Sequence, residues 1–131
     1  MGFRIVDFSP VQHPDCVPAV QQGKFVHLIE GGEEEFLVLS PYELSVFHAQ
    51  ILERYCQLNG LEGRFIRKPE LYEIIGADIE VIGGGHWKLD EAQLKLALFG
   101  ESTVYGKFGA EGLQEKVQAL SEYKNYEVVI R

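Results

Sequence analysis

The sequence predicts an α+β domain built on a mixed β-sheet. Apolar residues alternate with a period of two in several separate stretches, among them "KFVHLIE", "ADIEVIGGG" and "QLKLALFG". Two other stretches carry the three-and-four spacing of an amphipathic helix. The strands surround these helices without the regular strand–helix–strand order of a doubly wound parallel sheet, which leaves α+β as the class. With 131 residues, the whole chain, 1–131, fits one domain able to bury a sizeable core.

Residues 1–23 hold "SPVQHPDCVPAV", with three of the five prolines, and read as an irregular N-terminal arm with a short strand at Phe3–Phe8. Lys24–Glu30 reads as a strand, Gly31 and Gly32 as a turn, and Glu34–Leu39 as its hairpin partner. "SPYE" then places Ser40 as N-cap, Pro41 at the first helical position and Glu43 as the closing residue of a capping box. Leu44, Phe47, His48, Ile51, Leu52 and Tyr55 form the apolar stripe, and Asn59-Gly60 supplies a stop, so a helix is predicted over Pro41–Leu58. Residues 60–76 read as a loop with a short helix at Pro69–Ile75. Ile79, Val81 and Gly83 share one face of a strand that ends in the triplet Gly83–Gly85, and "HWKLD" continues as another strand. Leu94, Leu96 and Leu98 share one face of a strand over Gln93–Gly100; Leu113, Val117 and Leu120 mark a helix over Glu111–Tyr123; "YEVVI" closes the chain as a strand.

The formal net charge of −8 argues against nucleic acid or an anionic membrane as partner, because both need a basic footprint. No apolar run approaches the roughly 18–20 residues of a membrane helix, and the N-terminus lacks the pattern of a secretory signal. Cys16 and Cys56 have no CxxC or Cys/His clustering, so no metal site or cofactor is expected and both read as reduced thiols of a cytoplasmic protein.

Three stretches invite a chemical reading. The triplet in "VIGGGHW" is either a turn or a place where backbone passes close to something bound, since glycine weakens a strand. His48 lies on the apolar stripe of a helix: it is either a core histidine satisfied by one carbonyl, or a proton-exchanging group at a pocket. "FGESTVYG" ends a strand and offers Ser102 and Thr103, whose amides and hydroxyls suit an anion or an ordinary polar connection. Of the other histidines, His13 reads as a surface residue of the arm, His27 as strand packing, and His86 as a turn residue or phosphate donor.

In order along the chain, "PYELSVFHAQILERY", "DIEVIGGGHW", "LALFGESTVYG" and "YKNYEVVI" resemble the Janus/Ocnus family, which includes animal protein histidine phosphatases. The family's Tyr and Tyr-His-Ala-Asp core are matched by Tyr42 and Phe47-His48-Ala49-Gln50. Its glycine triplet is matched by Gly83–Gly85, and its Tyr-Gly-x-Ser-x-x-Tyr-Gly by residues 99–106. The resemblance covers most of residues 24–130. It implies a mixed, roughly six-stranded sheet with a helix on each side. It further implies metal-free removal of phosphate from phosphohistidine in a histidine-phosphorylated protein substrate. The catalytic histidine falls on His48, acting as general base or acid. The triplet carbonyl that orients it falls on Gly83, and the phosphate ligands fall on Ala49, Ser102 and Thr103.

The chain also departs from that pattern. The arginine that follows the triplet in the family is His86 here, leaving an imidazole as the phosphate donor; a neutral imidazole does not replace a bidentate guanidinium. Glu101 replaces an aromatic residue beside the serine. Lys24 is nearest to the family's strand lysine, although an ungapped register places Phe25 there. The stretch between His48 and the triplet is longer, and its Arg64, Arg67 and Lys68 are available to supply charge or dock a substrate protein. Two alternatives accompany the phosphatase: a catalytically weak binding module for phosphorylated or acidic peptides, and a regulatory partner that uses a sheet edge and the 60–76 insertion.

Overall fold

Alternation in two neighbouring strands organises the molecule. The computed structural model describes residues 2–131. Strand β2 (Val20–Glu30) pairs antiparallel with β3 (Glu34–Pro41) on one side and with β6 (Ile79–Asp90) on the other. Outside these lie β1 (Gly2–Asp7), parallel to β3, then β7 (Lys95–Phe99), antiparallel to β6, and β8 (Glu127–Ile130), parallel to β7. The sheet therefore runs β1-β3-β2-β6-β7-β8, a mixed six-stranded sheet in an α+β fold, as predicted.

Val26, Leu28, Phe36 and Val38 point to one face, where helix α2 (His48–Asn59) buries Ile51, Leu52 and Tyr55 against them. Phe25, Leu37, Leu39 and Trp87 point to the other face, beneath Leu113 and Val117 of helix α3 (Leu113–Gln118). Each fully buried side chain of this size contributes on the order of 2 kcal/mol, so the two faces hold the helices on opposite sides of the sheet. A single helical turn, α1 (Ser9–Gln12), follows β1.

Several boundaries differ from those predicted. The N-terminal segment is not an irregular arm throughout: β1 and α1 occupy it, and β2 starts at Val20 rather than Lys24. Helix α2 begins at His48, seven residues after Pro41, because β3 continues through Ser40 and Pro41 opposite Lys24 and Gly23. The Ser40 hydroxyl is buried against Ser45 Oγ at 2.7 Å and caps nothing. Gln50 closes the helix start instead, its Oε1 accepting from the Val46 and Phe47 amides at 2.8 and 3.0 Å. Gly60, at φ 66°, ends α2 at the predicted stop.

Residues 60–76 form a hairpin, β4 (Glu62–Arg67) and β5 (Leu71–Ile75), rather than a loop and helix. Phe65, Tyr72 and Ile74 of that hairpin pack on the α2 side of the core, and burial of this apolar face outweighs the broken alternation of the sequence. The glycine triplet lies inside β6, which runs unbroken through "HWKLD". The predicted strand over Gln93–Gly100 is shortened to β7, with Leu94 at φ 53° before it, and α3 is half the predicted length.

Candidate functional site

The β2–β6 register places Lys24 directly opposite His86. Period-two alternation puts both on the α2 face of the sheet, together with Gly84. The first residue of α2, His48, lands on that glycine. A Cβ on Gly84 would lie 2.8 Å from His48 Cδ2 and 2.7 Å from the Phe25 carbonyl oxygen, closer than side chains pack. The neighbouring glycines are equally crowded, Gly83 by the backbone of Lys107 and Gly85 by the Phe99 carbonyl and the Phe25 and Phe108 rings. None of the three has a positive φ. The triplet is therefore a place of close approach and not a turn between strands.

His48 is 7% exposed, and its Nε2 lies 2.9 Å from the Gly85 carbonyl oxygen. The carbonyl that orients the ring is thus Gly85's and not that of Gly83, the residue expected from the sequence, which lies two residues earlier in β6, opposite His27. A carbonyl only accepts, so Nε2 carries the proton and Nδ1 keeps its lone pair. Burial, with the positive charges of Lys24 and His86 adding to it, lowers the His48 pKa from 6.5 to about 4, so the ring is neutral at pH 7.

Lys24 donates from Nζ to the Val46 carbonyl at 2.7 Å, just before α2, and burial lowers its pKa. Phe25, the alternative in an ungapped register, is fully buried under α3. His86 lies edge-on to His48, ring centroids 6.0 Å apart, and stacks on Phe99. Its Nδ1 is 2.7 Å from the Tyr42 hydroxyl. Burial first, then Lys24, lowers its pKa.

The segment after β7 closes the cleft. Gly100 and Gly106, both at positive φ, bracket a tight loop in which the Ser102 and Gly106 backbones bond reciprocally at 3.1 and 2.9 Å. Ser102 Oγ accepts from the Tyr105 amide at 3.0 Å, which leaves the hydroxyl proton free to donate. The Gly84 amide donates to the Gly106 carbonyl at 3.0 Å and ties this loop to β6. Lys24, His48, His86, Ser102 and Thr103 together line one cleft of about 270 Å³. Ala49 does not line it; Ala49 is buried behind His48, in the first turn of α2. Among the described residues, the amides of His48, Ala49, Thr103 and Val104 have no protein partner.

The insertion contributes a carboxylate, not a cation. Arg67 is bonded to Glu70 at 3.0 Å and Arg64 to Glu73 at 2.9 Å, while Lys68 lies over the Phe65 ring. Glu70 of this hairpin lines the cleft, as does Glu101. The Tyr105 hydroxyl accepts from the Tyr72 amide at 2.7 Å and donates to the Tyr72 carbonyl at 2.8 Å, which clamps hairpin and loop together.

His27 does more than pack. The Gly109 amide donates to its Nδ1 at 3.1 Å, so Nε2–H donates to Glu35 at 2.6 Å, and Lys116 of α3 holds the other carboxylate oxygen at 2.6 Å. Burial is the largest influence and lowers the His27 pKa despite Glu35. Nothing in the sequence marked this network, because His27 read as strand packing and its partners Gly109 and Lys116 lie far along the chain. Nor did the sequence alone assign Tyr42 to His86. His13 lies apart, in a second cleft with Gln22 and Lys88. Cys16 and Cys56 are both free thiols. Among the described residues no helix is long and apolar enough to cross a membrane, and no three His, Cys, Asp or Glu side chains are grouped as around a metal ion.

The profile of the Janus/Ocnus family (Ocnus) matches residues 24–127. The chain is 32% identical over 99 residues to the sex-regulated protein janus-A of Drosophila pseudoobscura pseudoobscura. That alignment covers 76% of this chain and 56% of the fly protein, so the chain spans little more than half the length of this relative.

Proposed function

The chain belongs to the Janus/Ocnus family, and from that premise we propose that it is a phosphohistidine phosphatase-like hydrolase, which removes phosphate from phosphohistidine in proteins without a metal. The observation that carries the proposal is His48: Nε2–H is committed to the Gly85 carbonyl, and Nδ1 is an unprotonated base in a cleft that also holds Lys24 and Ser102. A phosphoramidate P–N bond cleaves readily once its imidazole leaves neutral, so the protein has little covalent chemistry to supply. It must orient water, move protons and stabilise the phosphoryl oxygens.

In this mechanism Lys24, the Ser102 hydroxyl and the unpartnered amides of Thr103 and His48 hold the phosphoryl oxygens. The bound dianion counters the Lys24 charge and raises the basicity of His48 Nδ1 toward neutrality. Nδ1 then takes the proton of the attacking water. The binding-module alternative draws support from His86 and Glu101: an imidazole stands where the family has an arginine, and a carboxylate lines the same cleft, both of which weaken stabilisation of a phosphoryl transition state.

The test follows phosphate release from a histidine-phosphorylated protein in the presence of chelator, for wild type and His48→Ala. Release by wild type alone is expected. No release by a folded wild type refutes the enzyme, and phosphate affinity that survives His48→Ala without turnover in either protein supports the binding module.

A further inference from the structure

Two histidines share the cleft, and their hydrogen-bond partners give them different capacities. The Gly85 carbonyl fixes the proton on His48 Nε2, so only Nδ1 exchanges. The partner of His86 Nδ1 is the Tyr42 phenol at 2.7 Å, which both donates and accepts. With the phenol oxygen accepting from Nδ1–H, His86 keeps that bond whether or not Nε2 is protonated. Nε2 is then the atom that gives or takes a proton.

The ring is also held where that proton is useful. It stacks on Phe99 with an interplanar angle of 21°, and it meets His48 edge-on at 82°. Its Cδ2–Nε2 edge lies against Gly100, at the start of the Ser102 loop. A Cβ there would come within 2.8 Å of Cδ2. Gly100, at φ 72°, keeps this edge clear.

We propose that His86 is a second catalytic residue of this cleft, the general acid that protonates the departing imidazole while His48 takes the proton from water. The proposal rests on the phosphohistidine reading above. Water adds its oxygen to phosphorus and gives a proton to His48 Nδ1. His86 Nε2 gives its proton to the substrate ring nitrogen that is not bonded to phosphorus. The P–N electron pair leaves with that ring, which departs as neutral imidazole. The products are the unmodified histidine side chain and inorganic phosphate, and the proton on His48 returns to His86 through solvent.

The groups that face His86 decide when the acid is loaded. Burial and Lys24 across the ladder disfavour a second positive charge; His48 and Tyr42 are neutral, and the carboxylates of Glu70 and Glu101, which line the same cleft, act the other way. A phosphoryl dianion bound between Lys24 and the two rings reverses that balance, so substrate itself loads the acid. An arginine at this position would bind phosphate well but would not release a proton near neutral pH.

That contrast supplies the test, run with a histidine-phosphorylated protein. His86→Arg is expected to keep or lower KM while kcat falls at least ~100-fold, the scale of acid–base contributions. Its kcat profile is expected to lose the alkaline limb and keep the acid limb. His86→Arg with kcat at or above wild type overturns this proposal alone and leaves His86 a phosphate ligand. A wild type that releases no phosphate overturns both proposals. If His86→Arg does not fold, Tyr42→Phe decides: loss of the acceptor from Nδ1–H is expected to shift the alkaline limb to lower pH, and an unmoved limb overturns the proposal.

Discussion

Acidification is expected to destabilise the fold through His48. The folded ring takes a proton only near pH 4, against 6.5 for an ordinary histidine, because burial opposes the charge. Between those values the unfolded chain binds a proton that the folded chain does not. The stability is therefore complete above pH 6.5 and is lost as pH falls toward 4. At about 1.4 kcal/mol per pH unit, the gap amounts to roughly 3 kcal/mol. Urea unfolding of wild type and of His48→Gln, from pH 7.5 to 4, isolates this contribution, since glutamine does not titrate. The other histidines with lowered pKa values, His27 and His86, act in both proteins and cancel in the difference. With a slope of about 1–3 kcal/mol per molar urea, the wild-type midpoint should fall by about 1–3 M more than that of the variant. Midpoints that decline in parallel would refute a neutral, buried His48.

Gly84→Ala should push the His48 ring off the Gly85 carbonyl, since the new methyl would stand 2.8 Å from Cδ2, at a cost of about 1–3 kcal/mol. Unchanged stability and an unshifted His48 imidazole resonance would contradict the close-approach role of the triplet. His27→Leu strands the Gly109 amide and leaves Glu35 to Lys116 alone; about 1–3 kcal/mol of stability and the exchange protection of the Gly109 amide should be lost. Tyr105→Phe removes both bonds to the Tyr72 backbone, at about 1 kcal/mol each. Hydrogen exchange should then accelerate in β5 and not in α3.

The strand alternation of "KFVHLIE", the apolar spacing of Ile51, Leu52 and Tyr55 and the Asn59-Gly60 stop were legible because each depends on side-chain period or on one residue's backbone freedom. The order of the motifs around His48, Gly83–Gly85 and Ser102 was legible too, and the fold brings His48, Ser102, Lys24 and His86 to one cleft. The start of α2 was not, because Ser40 and Pro41 carry a strong local helix signal that the ladder to Gly23 and Lys24 overrides. The hairpin over residues 62–75 was hidden for a related reason, since its apolar residues gain from α2 and not from their own spacing.

The fold class and the histidine on the apolar stripe were readable from the sequence, which left the triplet as either a turn or a close approach. Period and residue type carry that information locally. Only the tertiary structure decided that the carbonyl on His48 belongs to Gly85, that Tyr42 holds His86, that Glu70 rather than an arginine reaches the cleft, and that His27 anchors the segment after the Ser102 loop. Those hydrogen bonds join residues 37 to 82 positions apart. They are set by strand register and loop closure, and no local rule of the chain encodes them.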